Sequence, residues 1–234
     1  AMLATRFRGN VDPFFAMNAA NASQAGLRLG AYIYSYATSV EMAQQEADFV
    51  LNLIKDYPIS FPVVFDAEDA NTLGTLTQSQ VSDVINAFCK RIQDAGYYPM
   101  VYANEYWIAN KIDMSKISYD IWVAKYQQKY TYSKTSMWQA SNTGSVKGVN
   151  GNVDIDYLYK DYTQIIPGNT WRTIAGNRYY YQNHVMQKAA WINDGQNWYY
   201  MNAAGNPSKG WLELSGKKYY LEADGHMITG WKTL

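Results

Sequence analysis

Cysteine is almost absent from this 234-residue chain. The single Cys89 excludes an internal disulfide, and its setting in Val84-Ile85-Asn86-Ala87-Phe88-Cys89, apolar at helical spacing, reads as a buried, inert thiol. Histidine is nearly as scarce. His184 and His226 both lie late in the chain, which leaves no soft-ligand metal cluster and no histidine for a Ser-His-Asp triad among the first 160 residues. No Gly-x-x-x-x-Gly-Lys loop is present to cradle phosphates, so neither a metal nor a cofactor is expected. Apolar runs long enough to span a bilayer are missing, and no charged-then-apolar leader stands at Ala1. Neither sign of charge dominates. Twenty basic against twenty acidic residues argue against a nucleic-acid partner or an anionic membrane surface.

Aromatics are plentiful instead: 22 Tyr and 8 Trp bring the aromatic content to 16%. Flat rings on a surface are what neutral sugars and quaternary ammonium groups stack against. With 48% hydrophobic and 17% charged residues, the chain can also bury at least one full core.

The most informative motif is Asp66-Ala67-Glu68, which follows the apolar run Phe61-Pro62-Val63-Val64-Phe65. Strand side chains alternate faces, so residues 66 and 68 point the same way with Cα atoms roughly 6–7 Å apart. Mutual repulsion and partial burial raise the proton affinity of one of them, giving the acid and ionised carboxylate that glycosidic cleavage needs. The plainer alternative is that one carboxylate caps the next loop while the other sits in solvent.

Strand and helix patterns alternate through the first 160 or so residues. Strands are expected at 2–7, 30–36 and 61–66, then at 99–103, 121–124, 136–139 and 153–157. Helices are expected from Asp12-Pro13 to Gly26, from Ser39 to Asp56 and from Thr77 to Ala95, the last closed by Gly96. Such alternation implies an α/β fold with a parallel sheet, most simply a TIM-like (β/α) barrel with its chemistry at the carboxyl ends of its strands. Seven strands are counted, where a closed barrel of this kind has eight.

From Trp171 the character changes. Trp171, Trp191, Trp211 and Trp231 recur every twenty residues, and Tyr179-Tyr180, Tyr199-Tyr200 and Tyr219-Tyr220 keep a constant offset within each unit. Gly205 and Gly225 mark turns, so each unit reads as a small β-hairpin. A single hairpin cannot bury its own apolar face, and stacking the hairpins as a solenoid would do so. The expected domains are residues 1–166 and 167–234.

The repeats resemble the cell-wall-binding repeats of choline-binding proteins, on the pattern Trp198-Tyr199-Tyr200, Gly205 and Gly210-Trp211. That resemblance implies an aromatic cage for choline of teichoic acids, built from Trp191, Trp198, Tyr200 and Trp211, with wall glycans as an alternative ligand. The offset of Trp198 holds Arg178 in the preceding unit and Lys218 in the following one, so at most one good cage is expected.

The first 160 or so residues resemble the family-25 glycoside hydrolases. The matching segments are Asp12-Pro13-Phe14 through Asn18, Ala25-Gly26-Leu27 with Gly30-Ala31-Tyr32, Val64 to Glu68, Val101-Tyr102, Trp122-Val123-Ala124, Trp138-Gln139 and Gly151-Asn152-Val153-Asp154. The resemblance implies an irregular barrel of eight strands and five helices that cleaves the β-1,4 bond between N-acetylmuramic acid and N-acetylglucosamine of peptidoglycan. It further implies Glu68 as general acid, Asp66 as its ionised neighbour and Asp154 as a third carboxylate. Tyr32, Tyr34, Tyr102, Trp122 and Trp138 are the candidates for lining the sugar cleft, though each could equally fill the barrel. Family members open with an aspartate-bearing strand for which no match is found, so the chain is expected to be a fragment of a longer, secreted, wall-associated or phage-released lytic enzyme. A non-catalytic wall-binding protein with a vestigial barrel is the alternative.

Overall fold

The computed structural model describes residues 10–126 and 128–230, together with the main chain of Met2–Leu3. The remainder of the strand expected at 2–7, and Trp231, lie outside the described residues.

Seven strands form one sheet in chain order: β1 (Met2–Leu3), β2 (Leu29–Tyr34), β3 (Ile59–Asp66), β4 (Pro99–Asn104), β5 (Asp120–Ala124), β6 (Thr135–Gly144) and β7 (Val153–Leu158). Pairing is parallel from β1 through β6 and antiparallel between β6 and β7. The expected parallel sheet is corrected at its last strand, which is antiparallel. Among the described residues β1 and β7 are edges, and the sheet curls as a half-barrel. Residues 145–152 carry no helix to cross back over the sheet, so the chain returns as a hairpin and β7 runs the other way.

Four helices, one fewer than the resemblance implies, are found among the described residues: α1 (Phe15–Gln24), α2 (Val40–Ile54), α3 (Gln78–Asp94) and α4 (Glu105–Asn110). Their ends follow local chemistry. Ser39 caps α2 through Met42 N–H at 3.3 Å, and Thr77 forms a reciprocal capping box with Gln80 on α3. The first helix starts later than expected. Asp12 accepts from Phe14 N–H through its side chain and from Phe15 N–H through its carbonyl, so Asp12-Pro13 makes a turn and the helix begins at Phe15.

Strand alternation divides the core in two. Ala31, Ile33, Val63, Phe65, Val101, Ala103, Ile121 and Val123 face outward against buried helix residues such as Val50, Ile54, Ile85 and Phe88. Inside the curl, Val64, Met100, Tyr102, Ala124 and Met137 pack together with Tyr162 and Ile166. These inward positions share their face with Asp66 on β3.

The C-terminal residues form hairpins. β8 (Thr170–Ile174), β9 (Asn177–Gln182) and β10 (Val185–Met186) make a three-stranded sheet, β11 (Ala190–Asn193) pairs with β12 (Trp198–Met201), and β13 (Gly210–Leu214) pairs with β14 (Lys217–Leu221). The first hairpin shares the barrel's core, as Ile174, Tyr179, Tyr181 and Met186 join the outer cluster. Arg172, only 1% exposed, lies between the rings of Tyr97 and Tyr181 at 4.0 and 4.3 Å and donates to Gly96 O and Ile59 O. Gly96 precedes β4 and Ile59 opens β3, so this hairpin is fixed at the end of the sheet opposite the carboxyl ends.

Candidate active site

At the carboxyl end of the sheet lies an open cleft of about 380 Å³, lined by Tyr32, Tyr34, Asp66, Glu68, Tyr102, Trp122, Tyr126, Gln139, Asn142 and Asp154. Its geometry follows from the topology. Tyr32, Tyr34, Asp66, Tyr102, Trp122 and Gln139 are inward positions towards the carboxyl ends of five adjacent strands. Beyond β3 the ladder continues, with Ser35 N–H donating to Asp66 O and Ala67 N–H to Tyr102 O, so Glu68 projects on the same side as Asp66. The reversed direction of β7 brings Asp154, near its amino end, to the carboxyl end of the others.

The loop-capping role considered for one of the pair belongs to another residue. Asp69 Oδ1 accepts from the N–H groups of Asn71 and Thr72 and from the Thr72 hydroxyl, and its Oδ2 accepts from Tyr34 OH at 3.3 Å. Asp66 and Glu68 are therefore free of that task. Asp66 is 5% exposed, and among the described residues its buried Oδ1 has no hydrogen-bond partner. Burial, reinforced by the charge of Glu68, pushes its pKa up to about 8. Burial, with Asp69 second, also raises Glu68. Asp66 sits deeper than Glu68, and burial is the first cause of the upward shift in both. Tyr32 is raised to about 12, first by burial and then by Asp66, and Tyr102 is also raised by burial. Among the described residues the lining carries three carboxylates and no cation.

Four of the five aromatic candidates reach the cleft and one does not. Trp122 meets Tyr102 edge-on at 4.9 Å and donates through Nε1 to Asp156 Oδ1 at 2.8 Å. Trp138 lies on the other face of β6, stacked on Tyr157 at 5.2 Å with its Nε1 bonded to Lys125 O. Its register partner is outward-facing Val123, whereas Gln139 pairs with Ala124 and faces inward. Strand parity thus exchanges Trp138 for Gln139, whose Oε1 accepts from Tyr102 OH at 2.8 Å and Tyr126 OH at 2.9 Å. A lone glutamine between apolar neighbours was the signal available for it. Tyr126 and Asn142 lie on irregular or late-strand backbone and carry no such signal.

The family model for glycosyl hydrolases family 25 matches residues 2–149. The chain belongs to this family. A cell wall binding repeat model of the choline-binding type matches residues 190–206 and 209–227. Among curated proteins, the uncharacterized protein YegX of Escherichia coli K12 is 29% identical over 150 residues, which are 62% of this chain and 53% of YegX. The chain therefore spans about half the length of the curated relatives it matches. Among solved structures, the CTP1L endolysin superposes with a TM-score of 0.61 at 26% identity, covering 71% of this chain and 59% of its own. A family 25 glycosyl hydrolase from Bacillus anthracis gives 0.59 at 21% identity, covering 70% and 78%. The multimodular pneumococcal cell wall endolysin from phage Cp-1, solved with choline, gives 0.51 at 20% identity, covering 98% and 74%. The last two show a shared fold alone.

In this family-25 chain the second aromatic cluster stands on the repeats. Trp191 pairs across its hairpin with Tyr200, ring centroids 5.4 Å apart, and register places Trp198 on the same face. Tyr219 of the next hairpin, at 4.9 Å, supplies the neighbouring ring expected of Trp211. Trp211 pairs with Tyr220 instead and lines a separate groove with Leu212, Glu213 and Lys218. The repeat offset joining Trp171 to Tyr199 and Trp191 to Tyr219 is the signal that selects Tyr219.

Proposed function

We propose that this chain is a peptidoglycan hydrolase that cleaves the β-1,4 bond between N-acetylmuramic acid and N-acetylglucosamine. The observation that carries the reading is the Asp66–Glu68 pair, with both pKa values raised, at the edge of an open cleft walled by tyrosines. Glu68, the more accessible member, is the proton donor to the leaving glycosidic oxygen. The proton moves from the carboxyl to that oxygen as the C–O bond breaks. Asp66 Oδ1, buried without a donor among the described residues, is suited to receive one from the sugar, such as the N–H of a 2-acetamido group. A bond of that kind favours the ionised form of Asp66 and leaves the shared proton on Glu68. Asp154, across the cleft, adds negative potential where oxocarbenium charge develops, and Tyr32, Tyr34, Tyr102 and Trp122 supply sugar-facing surface.

Residues 1–166 would then form the catalytic domain and 167–234 a wall-binding domain whose hairpins stack as a solenoid. Trp191, Trp198 and Tyr200, with Tyr219, are the proposed site for choline of the wall. Tethering raises local substrate concentration, so weak repeat binding still increases the rate on intact walls. The protein would act outside the cytoplasm, secreted or released at lysis. Among the described residues no helix is long and apolar enough to cross a membrane.

The test is turbidity loss and reducing-end release from purified peptidoglycan by this chain and by Glu68→Gln. The substitution should lower cleavage by about 10²–10⁴-fold without loss of wall binding. Equal cleavage by both proteins would remove Glu68 from the mechanism, and wall binding without cleavage by either would leave a binding protein.

A further inference from the structure

The three described hairpins repeat one aromatic arrangement. Trp171, Trp191 and Trp211 pair across their strands with Tyr180, Tyr200 and Tyr220. At the first junction Trp171 also meets Tyr199 of the next unit at 4.9 Å, and at the second Trp191 meets Tyr219 at the same distance. Each junction therefore brings together three rings, one Trp and two Tyr, in equivalent positions. The next cross-strand pair on that face is Thr173 with Arg178 in the first unit and Asn193 with Trp198 in the second. The residue beside the three rings thus changes from a cation to a fourth aromatic ring.

At the first junction that cation is already on the ring. The guanidinium carbon of Arg178 lies 4.1 Å from the centroid of Trp171, on the face where an external cation would be held. Trp171 is fixed by its Nε1 bond to Asp194 Oδ2 at 3.1 Å, while Asp194 Oδ1 is held by the N–H groups of Gln196 and Asn197. The carboxylate on the indole edge and the guanidinium on its face complete a charge-matched cluster within the protein. Trp198, at the arginine's offset in the second unit, is 47% exposed. The ranges matched by the repeat model begin at residue 190, after the first hairpin.

We infer that Arg178 is a built-in cation that fills the aromatic junction of Trp171, Tyr180 and Tyr199, closing it to quaternary ammonium ligands and leaving the junction of Trp191, Tyr200 and Tyr219, with Trp198, as the open one. This rests on the reading of the repeats as a choline-binding module and adds which junction accepts the ligand and which residue decides it. The chain is charged at one junction and receptive at the next, so removing the charge should open the first to a ligand.

The experiment is calorimetric titration of choline chloride into the full chain and into Arg178→Gln, Arg178→Lys and Trp198→Ala, with thermal unfolding to confirm that each variant folds. The chain should take up about one choline in this region, Arg178→Gln about one more, Arg178→Lys no more than the parent, and Trp198→Ala should weaken the parent's site about fivefold or more. Unchanged stoichiometry in Arg178→Gln, with choline still bound by the parent, overturns the inference and leaves the choline reading standing. Unchanged affinity in Trp198→Ala also overturns it. Failure of both the parent and Arg178→Gln to bind choline removes the choline reading, and the inference with it.

Discussion

Replacing Asp66 with asparagine should stabilise the protein while removing activity, and the size of the gain should depend on pH. An unfolded-state aspartate titrates near 3.8, whereas the folded carboxyl is pushed up to about 8 by burial and by Glu68. A group with a raised folded pKa contributes stability that is complete below its unfolded pKa and is lost as pH rises through the folded value. Each unit of difference corresponds to about 1.4 kcal/mol, so at neutral pH the buried Asp66 costs the fold about 4 kcal/mol relative to a neutral isostere. The asparagine amide keeps the shape and cannot ionise. Urea unfolding of both proteins at about pH 5 and about pH 8 should show the variant's advantage widening by about 4 kcal/mol over that interval. Glu46 and Asp156 are also raised by burial, to about 7 and about 6, and add pH dependence of their own, but they are common to both proteins and cancel in the difference. A gap that stays constant with pH would mean that Asp66 is hydrated in solution and that the charge argument for the site is wrong. A natural sequence that keeps such a residue gives up stability for the chemistry of its cleft.

The same titrations shape catalysis: the pair must retain a proton, so kcat/KM should fall as pH rises through about 8, and a profile flat to about pH 10 would contradict proton donation by this pair. Arg172→Met should weaken docking of the first hairpin by about 1–3 kcal/mol, because Gly96 O and Ile59 O each lose their donor from the guanidinium; faster proteolysis near residues 167–169 would reveal it, and an unchanged cleavage rate would show the contact to be dispensable. Gly144→Ala should lower activity more than stability, since a methyl there would run into the Ile155 side chain and come within 2.9 Å of Val153 O, displacing the strand that carries Asp154. Equal losses in kcat/KM and in overall unfolding free energy would argue that β7 is only a structural edge.

Much of this architecture could be read from residue patterns. Ser39 and Thr77 announce their helices because a side-chain oxygen beside orphan N–H groups has a local consequence, and Gly96, at φ +89°, ends α3 for an equally local reason. The cleft was partly legible through strand parity, which places Tyr32, Tyr34, Asp66, Tyr102 and Trp122 together once the strands are aligned. Trp138 was misplaced because its aromatic character suggests a sugar wall, while parity alone decides which face it takes. The direction of β7 depends on the connection across residues 145–152, and the sharing of core between the barrel and the first hairpin depends on packing between residues more than a hundred positions apart, such as Tyr181 OH on Lys55 O. Neither has a local signature. The burial of Asp66 and Glu68 was hidden for a related reason: sequence spacing gives the pair its repulsion, but the depth of each carboxyl, which raises both, depends on the packing around it.

The most direct test of the central claim is the identity of the sugar end that the protein creates. Purified peptidoglycan digested by this chain, reduced with borohydride and analysed by mass spectrometry, should yield fragments ending in N-acetylmuramitol, none of them produced by Glu68→Gln. Fragments ending in N-acetylglucosaminitol would mean that the other glycosidic bond is cut, and cleavage only within the peptide stems would contradict the glycosidase reading altogether.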